Sequence, residues 1–163
     1  MAQTGINATA AALLGLLHEG QMTGGQLMAT AEEKLGRYWS MTRSQVYREL
    51  PALAEMGYVK LGKPGPRSSQ PYAITPAGRR AFLRWLTDEP GRDTLRNSVA
   101  LRIAFGDKQS AAQLRKLRDT AIDSRDQARE ARKEGDEFGA AALEFAVGYH
   151  RAALTWLKNV PTK

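Results

Sequence analysis

Residues 42–75, TRSQVYRELPALAEMGYVKLGKPGPRSSQPYAIT, constrain the fold more than any other stretch: a helix-length pattern is followed at once by two short β-rich runs joined by a loop of prolines and glycines. Thr42 can cap a helix in which Val46, Leu50, Leu53 and Ala54 fall on one face, and Gly57 stands where a left-handed terminating residue is wanted. At about 100° per residue the opposite face presents Ser44, Arg48 and Glu55, flanked by Gln45 and Tyr47. That is the face open to a ligand, with Arg48 at its centre. Pro51 lies inside this pattern, where it removes a backbone hydrogen bond and crowds the preceding turn, a cost of about 3 kcal/mol in a regular helix. The apolar period continues past it through Leu53, so a single kinked helix is expected. Two strands, Tyr58 to Leu61 and Tyr72 to Thr75, should follow, with Lys63 and Arg67 exposed on the loop between them.

The charge excess gathers around the same stretch. Between Arg37 and Arg84 nine basic residues (Arg37, Arg43, Arg48, Lys60, Lys63, Arg67, Arg79, Arg80, Arg84) face two acids (Glu49, Glu55), which accounts for the whole formal net charge of +7. A polyanion held here would explain the clustering, because a positive surface gains affinity by releasing counterions condensed on phosphates. On charge alone, a solvated basic surface kept for solubility stands beside that reading. The 163 residues suffice for one ordinary core, or for a small domain with an appendage. Having no cysteine excludes disulfides, thiolate zinc sites and a Cys nucleophile, and fits a reducing cytoplasm. The apolar run near the N-terminus is ended by Gly20, too short for a bilayer and without signal-peptide flanks, so a cytoplasmic protein with no membrane partner is expected.

Upstream, residues 8–18 are apolar nearly all round (Ala10, Leu13, Leu14, Leu16, Leu17), which marks a helix covered on more than one side. Thr23 can cap a second helix through Gln26, Leu27, Ala31 and Leu35, stopped by Gly36, with Tyr38 and Trp39 packing over the helix ends. Downstream, Thr75 caps a helix beginning at Pro76, with Phe82, Trp85 and Leu86 as its apolar stripe. Helix, helix, helix, hairpin, helix is the order of a winged helix-turn-helix, in which the third helix enters the major groove and the wing reaches backbone or minor groove. The expected fold is therefore mostly α: a winged helix-turn-helix with a two-stranded wing over residues 1–90, then a different α-helical domain over residues 91–163.

The second domain begins after TDEPGRD with Leu95, Val99 and Ile103 at intervals of four. Ser110 and Gln113 make a capping box for a long helix over about residues 111–134, whose inward positions are Leu114, Ala121 and Ala128, interleaved with Leu117, Ser124 and Ala131. The last helix, about 137–158, carries two apolar stripes: Phe138, Ala142, Phe145, Tyr149, Ala152 and Trp156, and beside it Leu143, Val147, His150, Leu154 and Leu157. Glu137, Glu144, Arg151 and Lys158 make its one charged line. Two stripes need two partners. One is the long helix of the same chain, and the other is most simply a second copy, which assigns the Phe138 stripe to a two-fold dimer interface.

These segments together, LLGLLHEGQMTGGQL, Tyr38-Trp39, SQVYRELPALAEMGYV, the wing with its Pro-Tyr, ITPAGRRAFLRWL and LRNSVALRIAFG, resemble the PadR-like family of transcriptional regulators over nearly the whole length. The resemblance implies a homodimeric winged-helix repressor that recognises double-stranded DNA at a dyad-symmetric operator and is often released by small, frequently aromatic, molecules. Carried over residue by residue, it assigns DNA contacts to Arg43, Ser44, Gln45, Tyr47 and Arg48 on the third helix and to Lys63 and Arg67 on the wing. Pro51 departs from the pattern of many members.

Several residues admit a second reading. Tyr47 can donate to a phosphate or sit half-buried beside the apolar face, and Arg43 can touch DNA or only pair with an acid. Trp85, Phe105, Tyr149 and Trp156 can line an effector cavity or belong to plain core. His18 and His150, far apart on helices, read as structural. With no H-E-x-x-H, Walker A or G-x-S-x-G pattern, and with the acids of the long helix alternating with basic residues, neither an enzyme nor a metal or other cofactor is expected. The reading of a different class is a winged-helix module whose basic face and spare stripe serve protein assembly without sequence-specific DNA reading.

Overall fold

The computed structural model describes residues 5–65, 69–91, 97–106 and 111–160. They form two compact units, Met1–Gly91 and Arg92–Lys163. In the first unit the order is α1 (Ala8–Leu16), β1 (Met22–Thr23), α2 (Gly24–Leu35), α3 (Arg43–Glu55), β2 (Val59–Leu61), β3 (Pro71–Ile74) and α4 (Pro76–Thr87). The all-round apolar composition of α1 has its expected consequence. Ala11, Leu13, Leu14 and Leu17 are sealed from solvent, and α1 packs against α2, α3 and α4 at once. Leu27 and Ala31 of α2, Val46, Leu50 and Leu53 of α3, Val59 and Ile74 complete one core.

Local chemistry sets each boundary. Thr23 and Thr42 both close reciprocal capping boxes, with Gln26 and Gln45 respectively at the third helical position. The far end of α3 terminates as anticipated: Gly57 is left-handed (φ +69°), Tyr58 N–H donates to Leu53 C=O at 2.9 Å and Gly57 N–H to Ala54 C=O at 2.9 Å. This is a Schellman closure, which supplies donors to carbonyls the helix leaves open. Pro51 does not interrupt the element, and α3 runs through it as one helix. Its ring lies on the exposed side.

The sheet holds more than the expected two strands. β1 adds a third, antiparallel to β3 with Met22 opposite Tyr72, so that the order is β1-β3-β2 and the hairpin is tied to the start of α2. The strands also sit slightly off their expected limits, at Val59–Leu61 and Pro71–Ile74, and Thr75 serves α4 as its cap. The Thr75 hydroxyl accepts from Gly78 N–H at 3.1 Å and donates to the Gly57 carbonyl at 2.7 Å, joining α4 to the end of α3. Gly78 is required by close approach: a Cβ there would collide with the Tyr58 carbonyl oxygen. The stripe proposed for α4 is only partly buried. Phe82 packs on the core and stacks with half-buried Trp85 (ring centroids 6.4 Å apart), but Leu86 is exposed, as is Leu83. His18 is structural, with Nδ1 donating to Leu14 C=O at 2.9 Å and its ring 5.0 Å from Phe82.

The second unit comprises α5 (Ser98–Ala104), α6 (Ala111–Lys133) and α7 (Glu137–Lys158). Leu95 and Ser110 of the expected patterns, and the side chains of Gln113 and Leu114, lie outside the described residues. α6 and α7 form a hairpin closed by Gly135 (φ +82°) and the Asp136 cap, whose carboxylate accepts from Gly139 N–H at 2.8 Å. The seam pairs small residues with large ones: Ala121, Ser124 and Ala128 of α6 are buried with Ala140, Leu143, Ala146, Val147 and Leu157 of α7. The Ser124 hydroxyl is satisfied by Thr120 C=O at 2.8 Å, so burying it leaves no open polar atom. Arg132 reaches Glu144 at 2.6 Å and Glu137 at 3.8 Å, and the Glu144 hydrogen bond raises its pKa above the ordinary arginine value. Among the described residues no helix is long and apolar enough to cross a membrane.

Candidate nucleic-acid interface

α3 buries Val46, Glu49, Leu50 and Leu53 and turns Arg43, Ser44, Tyr47, Arg48, Pro51 and Glu55 outward. The predicted outward face is therefore outward. Tyr47 resolves in favour of exposure, at 51 % of its surface, with its ring lying over the first residue of α2. Gly24 makes that possible, since a Cβ there would meet the ring and hydroxyl of Tyr47 at 3.2–3.3 Å. Arg43 is exposed and makes no ion pair among the described residues. Lys63 is likewise exposed on the wing, where Gly62 N–H donates to Pro71 C=O at 2.8 Å and Gly65 N–H to Ser69 C=O at 2.7 Å. Arg67 lies outside the described residues.

Two side chains carry constraints that periodicity alone did not reveal. Arg48 is held from below by Glu49, both Nε (3.3 Å) and Nη2 (3.0 Å) donating to Glu49 Oε1. Glu49 is 8 % exposed, a buried carboxylate at the edge of the core face, whereas the Arg48 side chain remains mostly in solvent. The signal was available in sequence, because position 49 falls between the two faces of the wheel and adjoins the only outward arginine past the first turn. Gln45 is half-buried and engaged with Thr42: its Oε1 accepts from Thr42 N–H at 2.8 Å and from Thr42 Oγ1 at 3.1 Å. The T-x-x-Q spacing is the signature of that box and occurs at both Thr23 and Thr42.

A face with two arginines, a tyrosine, a serine and a flanking amide, next to a wing with an exposed lysine, offers donors suited to phosphates and to base edges. The model of the transcriptional regulator PadR-like family matches residues 13–84, from the second half of α1 through most of α4. Residues 13–84 are thus similar to the PadR-like family. The family consists of transcriptional regulators, not enzymes. The negative transcriptional regulator PadR of Bacillus subtilis is 30 % identical over 104 residues, 58 % of this chain and 54 % of that protein, so the match spans about half the relative's length. The PadR-like architecture extends further than the sequence match. Bacillus subtilis PadR in complex with operator DNA superposes with a TM-score of 0.75 at 22 % identity, covering 95 % of this chain and 96 % of that one. The same protein in complex with p-coumaric acid gives 0.67 at 24 % identity, covering 94 % and 96 %. The fold is thus a winged helix with C-terminal helices.

The residues assigned to the second unit fall into two groups. Tyr149 and Trp156 lie on one face of α7 with Phe138 (92 % exposed), half-buried Ala142, Phe145 (66 % exposed) and exposed Ala152, while the Leu143 stripe packs against α6. The Tyr149 hydroxyl accepts from Asn97 Nδ2 at 2.8 Å, tying the face to the cap of α5. Phe105, at the end of α5, is exposed, and Trp85 belongs to the other unit. The His150 ring lies 5.4 Å from Tyr149 in an edge-on arrangement.

Proposed function

We propose that this protein is a sequence-specific transcriptional repressor that binds a dyad-symmetric operator as a homodimer. The observation that carries the reading is the outward face of α3, where Arg43, Ser44, Tyr47 and Arg48 stand exposed within the family-matched unit and the chain's whole charge excess surrounds them. Direct reading falls to Ser44, Gln45 and Arg48, and phosphate contact to Arg43, Tyr47, Lys63 and Arg67. The repressive sign is supported by the name of the Bacillus subtilis relative. Dimerisation through Phe138, Ala142, Phe145, Tyr149, Ala152 and Trp156 is supported by the exposure of that stripe, since contiguous exposed aromatics at helical spacing mark an interface. Release by a small aromatic effector is supported by the aromatic side chains Phe105, Tyr149 and Trp156 of the second unit and by a structural neighbour bound to p-coumaric acid. The division of labour is then DNA binding by residues 1–90 and dimerisation by residues 91–163.

The test is a titration of wild-type protein with the duplex upstream of its own coding region and with a scrambled duplex of equal length, at several salt concentrations. A specific operator shifts at concentrations that leave the scrambled duplex free, and the shift survives competitor DNA. Equal binding of both duplexes at every salt concentration contradicts the proposal and favours the protein-assembly reading.

A further inference from the structure

If α3 reads bases, the hydrogen bonds of its own first turn limit which bases it can read; this inference deepens the DNA-binding proposal and rests on it. The Gln45 amide has one acceptor atom, Oε1, and one donor group, the Nε2 amino group. Oε1 is occupied by Thr42 N–H at 2.8 Å and faces the Thr42 hydroxyl at 3.1 Å. The orientation of the amide follows from chemistry, because a backbone N–H only donates and the atom facing it must be the oxygen. The hydroxyl proton of Thr42 has two available partners, Gln45 Oε1 and Ser44 Oγ at 3.0 Å, but the backbone bond fixes Gln45 whichever it takes. Gln45 N–H returns the bond to Thr42 Oγ1 at 3.3 Å, completing the box.

A glutamine recognises adenine through a fork, in which its oxygen accepts from N6 while its nitrogen donates to N7. With its oxygen turned back onto the Thr42 N–H, Gln45 does not present it to N6 for the first half of that fork. What remains is a donor-only group, and the major-groove edge that best matches it is guanine, with N7 and O6 acceptors side by side. Adenine sets a donor next to its single acceptor, thymine a methyl group, and cytosine a donor alone. Gln26 forms the same box with Thr23 in α2, so the device is a cap in both helices. Gln26 is exposed as well, and what distinguishes Gln45 is its place beside the outward face of α3, one turn ahead of Arg48, whose guanidinium is itself donor-only.

We propose that Gln45 is a specificity-determining residue whose capping bond to Thr42 makes the protein select guanine, and reject adenine, at one position of each half-site. The variant that separates capping from reading is Gln45→Glu. A carboxylate at the third helical position caps as well as an amide but cannot donate. Duplexes are selected from a random library by wild type, Gln45→Ala and Gln45→Glu, and the selected site is then titrated with 7-deazaguanine, which lacks N7, at each guanine in turn. Helical circular dichroism and melting confirm that the variants are folded.

One guanine in each wild-type half-site should lose roughly tenfold in affinity on N7 removal. Both variants should bind the natural site more weakly and show no further loss with the analogue, and Gln45→Glu should move the preference at that position toward cytosine, whose N4 donates. Unchanged base preferences in both folded variants overturn the inference and leave Gln45 a cap alone. So does a Gln45-dependent position that prefers adenine and weakens when purine, lacking the 6-amino group, replaces it. A wild type that selects no sequence at all overturns the DNA-reading proposal together with this one, which distinguishes the two failures.

Discussion

At the scale of single residues, the winged-helix unit turns on a few side chains that hold two elements in one relation. Gly78 lets α4 lie directly on the Tyr58 carbonyl, and Thr75 binds the same corner with hydrogen bonds to Gly57, Tyr58 and Gly78. Gly78→Ala should therefore destabilise the protein by about 1–3 kcal/mol, the range expected when an added methyl meets backbone that cannot step aside. The measurement is a denaturant titration, and a midpoint equal to wild type would mean that α4 can move off the sheet without loss. Arg48 shows a different kind of coupling. Its guanidinium is largely in water, so the pair with Glu49 contributes under about 1 kcal/mol to stability. The consequence of that bond is orientation, because a carboxylate anchored in the core edge restrains a long flexible side chain at the point where a base would be read.

At the scale of elements, the boundaries of α3 were legible because they rest on local chemistry, a Thr cap and a Gly in the left-handed region, and the extents of α6 and α7 were legible from their seven-residue spacing. The Leu143 stripe of α7 found its partner in α6 and the Phe138 stripe stayed exposed, as two stripes on one helix require. β1 was not legible. Met22 and Thr23 carry no alternation, and they are a strand only because β3 lies beside them. Leu86 was read as buried from its period, but period identifies a face without saying what covers it. The Gln45 contact is what the family resemblance implies, the wheel placing it only beside the outward face, and its engagement with Thr42 depends on a cap that only coordinates reveal in full. Pro51 was rightly kept inside a single helix, since the Leu50 and Leu53 anchors on either side outweigh one missing backbone bond. Its cost remains in the folded state. Pro51→Ala should raise stability by about 2 kcal/mol, the roughly 3 kcal/mol helix penalty less the entropy a proline removes from the unfolded chain. Calorimetric or denaturant unfolding checks this, and an unchanged or lowered stability would show that the helix has relaxed around the ring.

At the scale of the whole molecule, the proposal links two functions: a winged-helix unit that reads a half-site and a helical hairpin that pairs two such units. Phe145→Asp with Tyr149→Lys places opposite charges on the exposed stripe and should give monomers in sedimentation velocity, while the Leu143 side of α7 keeps the hairpin folded. Operator affinity should fall by about 10² or more in that variant, because two weakly bound half-sites are no longer tethered. A dimer that persists would move the interface elsewhere. The central claim is that α3 reads sequence through its outward face, and one comparison tests it most directly: Arg48→Ala and Lys63→Ala titrated against operator and scrambled duplexes over a range of salt. The account predicts that Arg48→Ala costs about 1–3 kcal/mol on the operator and little on the scrambled duplex. Lys63→Ala should weaken both alike and reduce the salt slope by about one unit. Equal losses on both duplexes for Arg48→Ala, or wild-type operator affinity retained in that variant, would contradict it.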